Sequence, residues 1–351
     1  MVFTHKDFDH HEQVVYCTDP AAGLRAIIAV HDTALGPALG GCRHWSYASE
    51  ADALTDALRL SRGMSYKAAL AGLPLGGGKS VILANPAADR GAMFEAFGRA
   101  VECLGGRYIT AEDVGTTTGD MSAIRRHTRH VSGVAPDEGG RGDPSPATAL
   151  GVLMGMLGAL ELRFDSDTLA GRRVAVQGLG SVGFELCRLL HERGARLIVA
   201  DIAAERVERA VQAFGAVGVG VDVIHAVEAD VFAPCALGAG LNDATLPQLA
   251  CSIVAGAANN QLAHAGIGPQ LKARGILYAP DYLINAGGLI KVAGEYLGFP
   301  IEEAERRVRA IRERTGEVLL RALREDADTA AVADTMACEA IGRAVPAASR
   351  R

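Results

Sequence analysis

Apolar residues in the first 140 positions of the chain follow two periods. Short apolar runs at residues 24–30, 79–83 and 108–110 are typical of buried strands. Residues 50–64 carry apolar side chains three and four positions apart, which predicts a helix with one buried face. These elements together predict a mixed α/β domain over residues 1–140.

The rest of the chain alternates strands and helices. Residues 136–146 are dominated by glycine and proline, which predicts a loop or hinge. Beyond it, a helix, a strand, a helix and a strand are predicted at residues 147–162, 173–177, 184–193 and 195–200. Such alternation is typical of a parallel, doubly wound sheet. From residue 302 onward, apolar residues at helical spacing among arginine and glutamate predict one or two amphipathic helices that fold back on the first domain.

Composition narrows the class of protein. A chain of 351 residues is longer than one hydrophobic core usually organises, so two domains are expected. Its 35 basic and 41 acidic side chains form no basic cluster, which argues against a nucleic-acid partner. The N-terminus lacks the pattern of a signal peptide. The longest apolar stretch, residues 147–160, has about 14 residues against the ~20 that span a bilayer, so no membrane partner is expected.

Cysteine and histidine spacing gives no sign of a metal site. The seven cysteines are scattered, without a Cys-x-x-Cys pair, which favours reduced thiols and a cytoplasmic protein. The pairs His10-His11 and His127/His130 lack the glutamate and the third ligand of a zinc helix. We therefore expect no bound metal.

A glycine-rich segment lies between a predicted strand and a predicted helix, and its residues are Gly178-Leu179-Gly180-Ser181-Val182-Gly183. It fits the pattern G-x-G-x-x-G, and Asp201 follows about 20 residues later, at the end of the next strand. Gly178 would permit a tight turn, Gly180 the approach of a pyrophosphate, and Gly183 close packing of helix and strand. Asp201 would bind ribose hydroxyls and repel a 2′-phosphate, which predicts NAD in a Rossmann-type domain. The alternative is a turn that only packs a helix.

A second glycine segment, Gly76-Gly77-Gly78-Lys79, ends in a lysine. It is not a phosphate loop, because that motif needs a glycine where this chain has Leu73. Glycines would let the backbone follow a ligand closely, and a poorly hydrated Lys79 would favour its neutral, basic form. The alternative is a solvated surface charge. A second lysine, Lys67, and an acidic run containing Asp113 favour amino-acid chemistry, since two amines and a carboxylate suit such a substrate.

With these motifs in view, the chain resembles the glutamate/leucine/phenylalanine/valine dehydrogenase family, and most closely its leucine- and valine-acting members. The resemblance covers about residues 11–340. It is carried by long, specific segments at residues 31–41, 62–67, 73–79, 108–116, 144–148, 232–238, 256–260 and 280–288.

The resemblance implies an NAD-dependent enzyme that reversibly deaminates an aliphatic, branched-chain L-amino acid to the 2-oxo acid and ammonia. Lys67 would bind the substrate carboxylate, Lys79 would be the general base that activates water, and Asp113 would exchange protons with the amino group. The other implied substrate-binding residues are Gly40, Gly41, Asn259 and Asn285. The implied cofactor-binding residues outside the glycine loop and Asp201 are Thr148, Ala236 and Asn259.

The implied side-chain pocket contains no charge, which argues against glutamate as the substrate. Its residues are Leu39, Met64, Ala111, Leu289 and Val292. Leu289 stands where leucine dehydrogenases carry valine and should shorten the pocket, so we expect valine, 2-aminobutyrate or isoleucine to be preferred at least as strongly as leucine. Two alternatives stay open: a phenylalanine dehydrogenase of the same family, and a non-catalytic NAD-binding regulatory protein.

The resemblance also implies the order of the domains. A substrate and oligomerisation domain would occupy residues 1–140, with C-terminal helices from about residue 325 to 351 packing back on it. An NAD-binding domain would occupy residues 141–325. A homo-oligomer is expected.

Overall fold

The computed structural model describes residues 1–342. The chain forms two compact units. The first contains Met1–Gly142, Lys291–Ile301 and, among the described residues, 337–342. The second contains Asp143–Ile290 and Glu302–Met336.

The first unit is built on a mixed sheet of five strands. Its elements up to Gly142 are β1 (Gln13–Asp19), β2 (Leu24–Asp32), β3 (Ala38–Trp45), α1 (Glu50–Leu70), β4 (Gly76–Leu83), α2 (Arg90–Glu102), β5 (Tyr108–Glu112) and α3 (Thr118–Arg125). The strand order is β1-β2-β4-β3-β5. β1, β2 and β4 pair antiparallel, whereas β3 pairs parallel with both β4 and β5.

Both faces of this sheet are buried, which explains why β2 is apolar throughout. Ile28 and Val30 lie in the core that contains Phe94 and Phe97 of α2. Ile27 and Ala29 lie in a second core, on the side of α1. Neighbouring strand residues point to opposite faces, so a strand covered on both faces needs a continuous apolar run rather than an alternating one.

The second unit is built on a parallel sheet of six strands, in the order β11-β10-β9-β6-β7-β8. This confirms the predicted doubly wound α/β class. Its elements up to Ile290 are α4 (Ser145–Phe164), β6 (Arg173–Gln177), α5 (Ser181–His191), β7 (Arg196–Ala200), α6 (Ala204–Phe214), β8 (Val217–Gly218), β9 (Ala229–Pro234), β10 (Cys251–Val254), α7 (Ile267–Ala273), β11 (Leu277–Tyr278) and α8 (Asp281–Ile284), followed by the start of α9 (Gly287–Leu297).

The segment predicted to be too short to cross a membrane is longer than expected. Helix α4 has 20 residues, and in the part of the chain that the structure describes it is the one helix whose length and hydropathy would allow a membrane crossing. Of its apolar window, 56% is buried within the protein. Length and hydropathy alone would therefore allow a crossing, but the burial of more than half of this window accounts for the apolar helix.

Three helices follow α9, where one or two were predicted: α10 (Ile301–Arg309), α11 (Ile311–Glu325) and α12 (Thr329–Ala340). Helix α11 packs on the glycine face of α4, where a Cβ on Gly158 would lie 2.9 Å from the carbonyl oxygen of Arg312 and one on Gly151 would lie 3.0 Å from the Ile311 side chain. This close approach accounts for the position of α11 in the second unit. Of the described residues in this part of the chain, Lys291–Ile301 and residues 337–342 belong to the first unit, whereas Glu302–Met336 belongs to the second. Residues 343–351 of the predicted returning segment lie outside the described residues.

Candidate active site

Lys79 lies on β4, in the middle of the first unit's sheet, and only 4% of its surface is exposed. Its Nζ lies 2.8 Å from Oδ2 of Asp113. The poor hydration expected of this amine is therefore present, and so is a carboxylate partner that sequence spacing alone could not pair with it.

The glycines before Lys79 have a packing role that the sequence did not reveal. Gly76, Gly77 and Gly78 all lie buried within β4. A Cβ on Gly77 would overlap the backbone of Ser65 in α1, and one on Gly78 would lie 2.7 Å from the Tyr108 ring. They allow helix α1 and the Tyr108 ring of β5 to approach β4 closely, and they lie in a strand rather than in a loop.

Asp113 directly follows β5 and has two cationic partners. Besides Lys79, Nε of Arg43 donates to its Oδ2 at 3.0 Å. Burial alone would raise the pKa of Asp113, but the charges and hydrogen bonds of Lys79 and Arg43 outweigh it and hold the pKa below its ordinary value. Asp113 is therefore a carboxylate at neutral pH.

Sequence reasoning missed the residues that support Asp113. Arg43 on β3 also donates through a terminal guanidinium nitrogen to Asp56 Oδ2 at 2.7 Å. The hydroxyl of Tyr47 donates to the same Asp56 oxygen at 2.7 Å. The only local signal for these residues was that Arg43 lies close in sequence to residues 39–41, which were predicted to bind the substrate. The sequence did not show which residue Arg43 contacts.

The structure brings several predicted substrate residues close to Lys79 on the same sheet. Gly40 and Gly41 lie on β3, where a Cβ on Gly40 would overlap the carbonyl of Gly78 and one on Gly41 would lie 2.7 Å from the Cβ of Asp113. Lys67 is half-buried in the last turn of α1, the helix that Gly77 allows to approach β4.

The predicted pocket residues of the first unit are largely apolar and shielded. Leu39 and Ala111 are buried on β3 and β5. Met64 and Val292 are half-buried on α1 and α9. The hydroxyl of Ser132 donates to the carbonyl of Val292 at 3.0 Å, which fixes that turn of the helix. The helix predicted to carry Leu289 and Val292 is present as α9.

The glycine-rich loop of the second unit joins β6 to α5, as predicted. Gly178 has a φ of +96°, which favours glycine, and a Cβ there would lie 2.8 Å from the backbone nitrogen of Ala236. A Cβ on Gly183 would overlap the carbonyl of Gly178, whereas one on Gly180 would meet nothing within 4 Å. The loop is therefore tight on the protein side and open at Gly180, and this arrangement fits a dinucleotide pyrophosphate at the start of α5.

Asp201 supports this loop as well as ending β7. Its Oδ2 accepts a hydrogen bond from the backbone nitrogen of Leu179 at 2.6 Å, and its Oδ1 accepts one from Ala203 at 2.9 Å. Arg206 approaches it to 3.7 Å. Burial alone would raise the pKa of Asp201, but these donors hold it below its ordinary value. The carboxylate is thus charged and positions the loop, a role that the sequence did not reveal.

The remaining predicted residues of the second unit lie in three places. Thr148 lies in the first turn of α4, where a Cβ on Gly288 would lie 2.6 Å from its hydroxyl. Leu289 is buried in α9. Ser181 and Val182 begin α5, and Ala236 is exposed just after β9.

Asn285 and Asn259 form a polar pair in the second unit. Nδ2 of Asn285 donates to Oδ1 of Asn259 at 2.9 Å and to the carbonyl of Ala257 at 3.1 Å. Its own Oδ1 is buried and has no hydrogen-bond partner among the residues that the structure describes. A buried acceptor of this kind suits a ligand that donates a hydrogen bond, such as an amide or an amine.

Among residues 1–342, no three side chains of histidine, cysteine, aspartate or glutamate come together as metal ligands. All seven cysteines are free thiols.

Comparison with known families supports the interpretation of both units. Residues 11–130 match the family model described as the Glu/Leu/Phe/Val dehydrogenase dimerisation domain. Residues 139–204 and 202–347 match the model described as glutamate/leucine/phenylalanine/valine dehydrogenase.

Individual relatives match almost the whole chain. A leucine dehydrogenase of Geobacillus stearothermophilus is 53% identical, over 97% of this chain and 93% of its own length. A valine dehydrogenase of Streptomyces virginiae is 46% identical, over 95% of this chain and 94% of its own. The crystal structure of an L-tryptophan dehydrogenase from Nostoc punctiforme superposes with a TM-score of 0.85, at 44% identity and 97% coverage of both chains.

Proposed function

This chain belongs to the glutamate/leucine/phenylalanine/valine dehydrogenase family, and we propose that it catalyses the NAD-dependent, reversible oxidative deamination of an aliphatic, branched-chain L-amino acid. It is an amino-acid dehydrogenase by its relatives. The observation that carries the proposal is the buried pair of Lys79 and Asp113, an amine and a carboxylate 2.8 Å apart. A regulatory protein that had lost the chemistry would not need this pair.

The proposed reaction consumes the amino acid, oxidised NAD and water, and yields the 2-oxo acid, ammonium, NADH and a proton. Bound NAD supplies the acceptor for the hydride that leaves the substrate α-carbon. Lys67 binds the substrate carboxylate, and Asp113 takes a proton from the substrate amino group. Lys79 removes a proton from the water that attacks the iminium carbon, so that ammonia can leave. Gly40 and Gly41 would contact the substrate through their backbone atoms.

The second unit is proposed to bind the cofactor. Gly178, Gly180 and Gly183 would hold the pyrophosphate, with Leu179, Ser181 and Val182 completing the loop. Asp201 would bind the adenosine ribose and Ala236 would border it. Thr148, Asn259 and Asn285 would hold the nicotinamide and the reacting centre, and the unpartnered Oδ1 of Asn285 supports this.

Overall sequence identity does not indicate which amino-acid side chain the protein accepts. The valine-acting and tryptophan-acting relatives are almost equally similar to this chain, at 46% and 44% identity. The residues proposed for the side-chain pocket support an aliphatic substrate. Leu39, Met64, Ala111, Leu289 and Val292 are all uncharged and shielded, which suits an aliphatic side chain and leaves the second carboxylate of glutamate without a cation.

A substrate panel tests the proposed function. The protein with NAD should produce NADH from L-valine, L-leucine, L-isoleucine and L-2-aminobutyrate, with kcat/KM for valine at least equal to that for leucine. L-Glutamate should be inactive. A clear preference for L-phenylalanine would move the protein to the aromatic branch, and no NADH from any amino acid would support the regulatory alternative.

Leu289→Val should raise the ratio of kcat/KM for leucine to that for valine, because it lengthens the pocket by about one methylene. A methylene is worth about 1–3 kcal/mol in such a pocket, so a change of roughly tenfold or more is expected. Ile290→Val is the matched control, since Ile290 is the adjacent, fully buried residue of α9 and loses the same group. Equal ratios in the two variants would remove Leu289 from the pocket.

Asp201→Asn should lower the preference for NAD over NADP, measured as the ratio of their kcat/KM values. The variant keeps an acceptor near Leu179 but loses the charge that repels a 2′-phosphate, and it leaves Arg206 free to attract one. Asp230→Asn is the control, because Asp230 also accepts a hydrogen bond from a backbone nitrogen on this sheet, that of Arg173. An unchanged ratio in Asp201→Asn would mean that the ribose is recognised elsewhere.

We also infer that the protein acts as a homo-oligomer in the cytoplasm. The first inference is supported by the match of residues 11–130 to a dimerisation domain. The second is supported by the seven free cysteines.

A further inference from the structure

The two oxygens of the Asp113 carboxylate have different surroundings. Lys79 Nζ, at 2.8 Å, and Arg43 Nε, at 3.0 Å, both contact Oδ2. Within residues 1–342, no hydrogen bond is made by Oδ1. The backbone nitrogen of Asp113 donates to Thr116 Oγ1 at 2.8 Å, which fixes the turn that carries the carboxylate. One oxygen is therefore held by the protein, and the other is available to a ligand.

Arg43 is itself held from its other side. Its guanidinium donates to Asp56 Oδ2 at 2.7 Å, and Tyr47 donates its hydroxyl to the same oxygen. Arg43, Asp56 and Asp113 each keep about a quarter of their side-chain surface exposed. The rigid fork of a guanidinium binds two carboxylates in fixed directions, whereas an ammonium is a point charge with rotatable donors and does not fix those directions. Tyr47, Asp56 and Arg43 thus form a chain of hydrogen bonds that ends on Asp113.

We propose that Arg43 is a positioning residue, which orients Asp113 so that Oδ1 exchanges the proton with the substrate amino group, and that Asp56 and Tyr47 hold Arg43 in place. The inference rests on the proposed function, because it gives a geometry to the proton exchange assigned there to Asp113. The proton moves from the substrate nitrogen to Oδ1, and Oδ2 keeps its two cationic partners during the transfer.

The charges around Asp113 determine how this arrangement depends on pH. The cations are Lys79 from β4 and Arg43 from β3; the acidic or weakly acidic groups are Asp56, Tyr47, Cys42 and Tyr108. Without Arg43, Lys79 would be the one cation left beside Asp113. The positive charge between the carboxylates of Asp113 and Asp56 would be lost. The pKa of Asp113 would rise, so the ionised form needed for deamination would be lost at a higher pH than in the unmodified protein.

The experiment compares Arg43→Gln, Arg43→Lys and Tyr47→Phe with the control Arg25→Gln. Arg25 matches Arg43 because it also links a strand to a carboxylate of α1, Glu50, at 3.0 Å. Arg43→Gln should lower kcat by on the order of 10²-fold and move the acidic limb of kcat/KM upward by about one pH unit or more. The KM for NAD should not change. Arg43→Lys should restore the pH limb but not kcat, because it returns the charge without the two-sided contact. Tyr47→Phe should lower kcat by a smaller factor.

A second measurement does not depend on catalysis. The ¹³C resonance of the Asp113 carboxyl, identified by its loss in Asp113→Asn, should titrate at a higher pH in Arg43→Gln than in the unmodified protein or in Arg25→Gln. If the unmodified protein makes NADH but Arg43→Gln keeps the kcat and pH limb of Arg25→Gln, the inference is overturned and the proposed function stands. If the unmodified protein oxidises no amino acid, the proposed function fails, and an unshifted titration in Arg43→Gln would overturn the role of Arg43 as well.

Discussion

Replacing Lys79 by alanine is expected to lower turnover with the preferred amino acid by ~10²–10⁴-fold, the usual loss on removing a general base. The amine is buried and lies 2.8 Å from Asp113, so no other side chain can take its place without a rearrangement of the sheet. Binding of NAD should be almost unchanged, because the proposed cofactor residues belong to the second unit. Steady-state kinetics and a fluorescence titration with NADH would measure the two effects separately.

Lys272→Ala is the control for this variant. Lys272 is an exposed lysine paired with Asp326 at 2.7 Å, and it belongs to neither proposed site. A small primary amine added to Lys79→Ala should restore part of the lost turnover if the missing function is that of a base. Turnover within tenfold of the unmodified protein, with normal NADH binding, would refute the assignment of Lys79.

Gly77→Ala is expected to destabilise the protein by about 3 kcal/mol or more and to abolish most of the activity. The added Cβ would overlap the backbone of Ser65, and a clash with backbone is not relieved by rotating a side chain. Helix α1 would have to move away from β4, and these elements carry Lys67 and Lys79. Urea denaturation would measure the loss as a lower midpoint.

Gly63→Ala provides the matched control on the same helix. A Cβ on Gly63 meets nothing within 4 Å, so this substitution should stabilise α1 by roughly 0.5–1 kcal/mol through the higher helix propensity of alanine. If Gly77→Ala were as stable as Gly63→Ala, α1 would not be packed on β4 as described.

Much of the fold could be predicted because it depends on local periodicity. The strand at β2 and the strand–loop–helix around Gly178 follow from apolar runs bounded by turn residues, and the parallel sheet follows from their alternation. The apolar spacing predicted helix α1 over residues 50–64, with Lys67 near its end; the helix continues to Leu70, because Ser65, Tyr66 and Ala69 are buried against the protein. That burial is a tertiary contact and has no local signal.

The candidate site was less accessible to sequence reasoning for the same reason. Lys79 and Asp113 could be singled out by residue type and by resemblance, but Arg43 becomes their neighbour only through the strand order β4-β3-β5. In that register Cys42 lies opposite both Ser80 and Glu112, which brings residues 43, 79 and 113 together. Parallel pairing between strands far apart in the chain cannot be derived from spacing along one strand.

The unpartnered oxygen of Asn285 has a thermodynamic consequence. Leaving a buried acceptor without a donor costs a folded protein about 1–3 kcal/mol. The fold accepts this cost because Asn285 is held in place by its two donated hydrogen bonds, to Asn259 and Ala257. A ligand that donates a hydrogen bond to this oxygen removes the cost on binding. The missing hydrogen bond therefore lowers the stability of the free protein and increases its affinity for such a ligand.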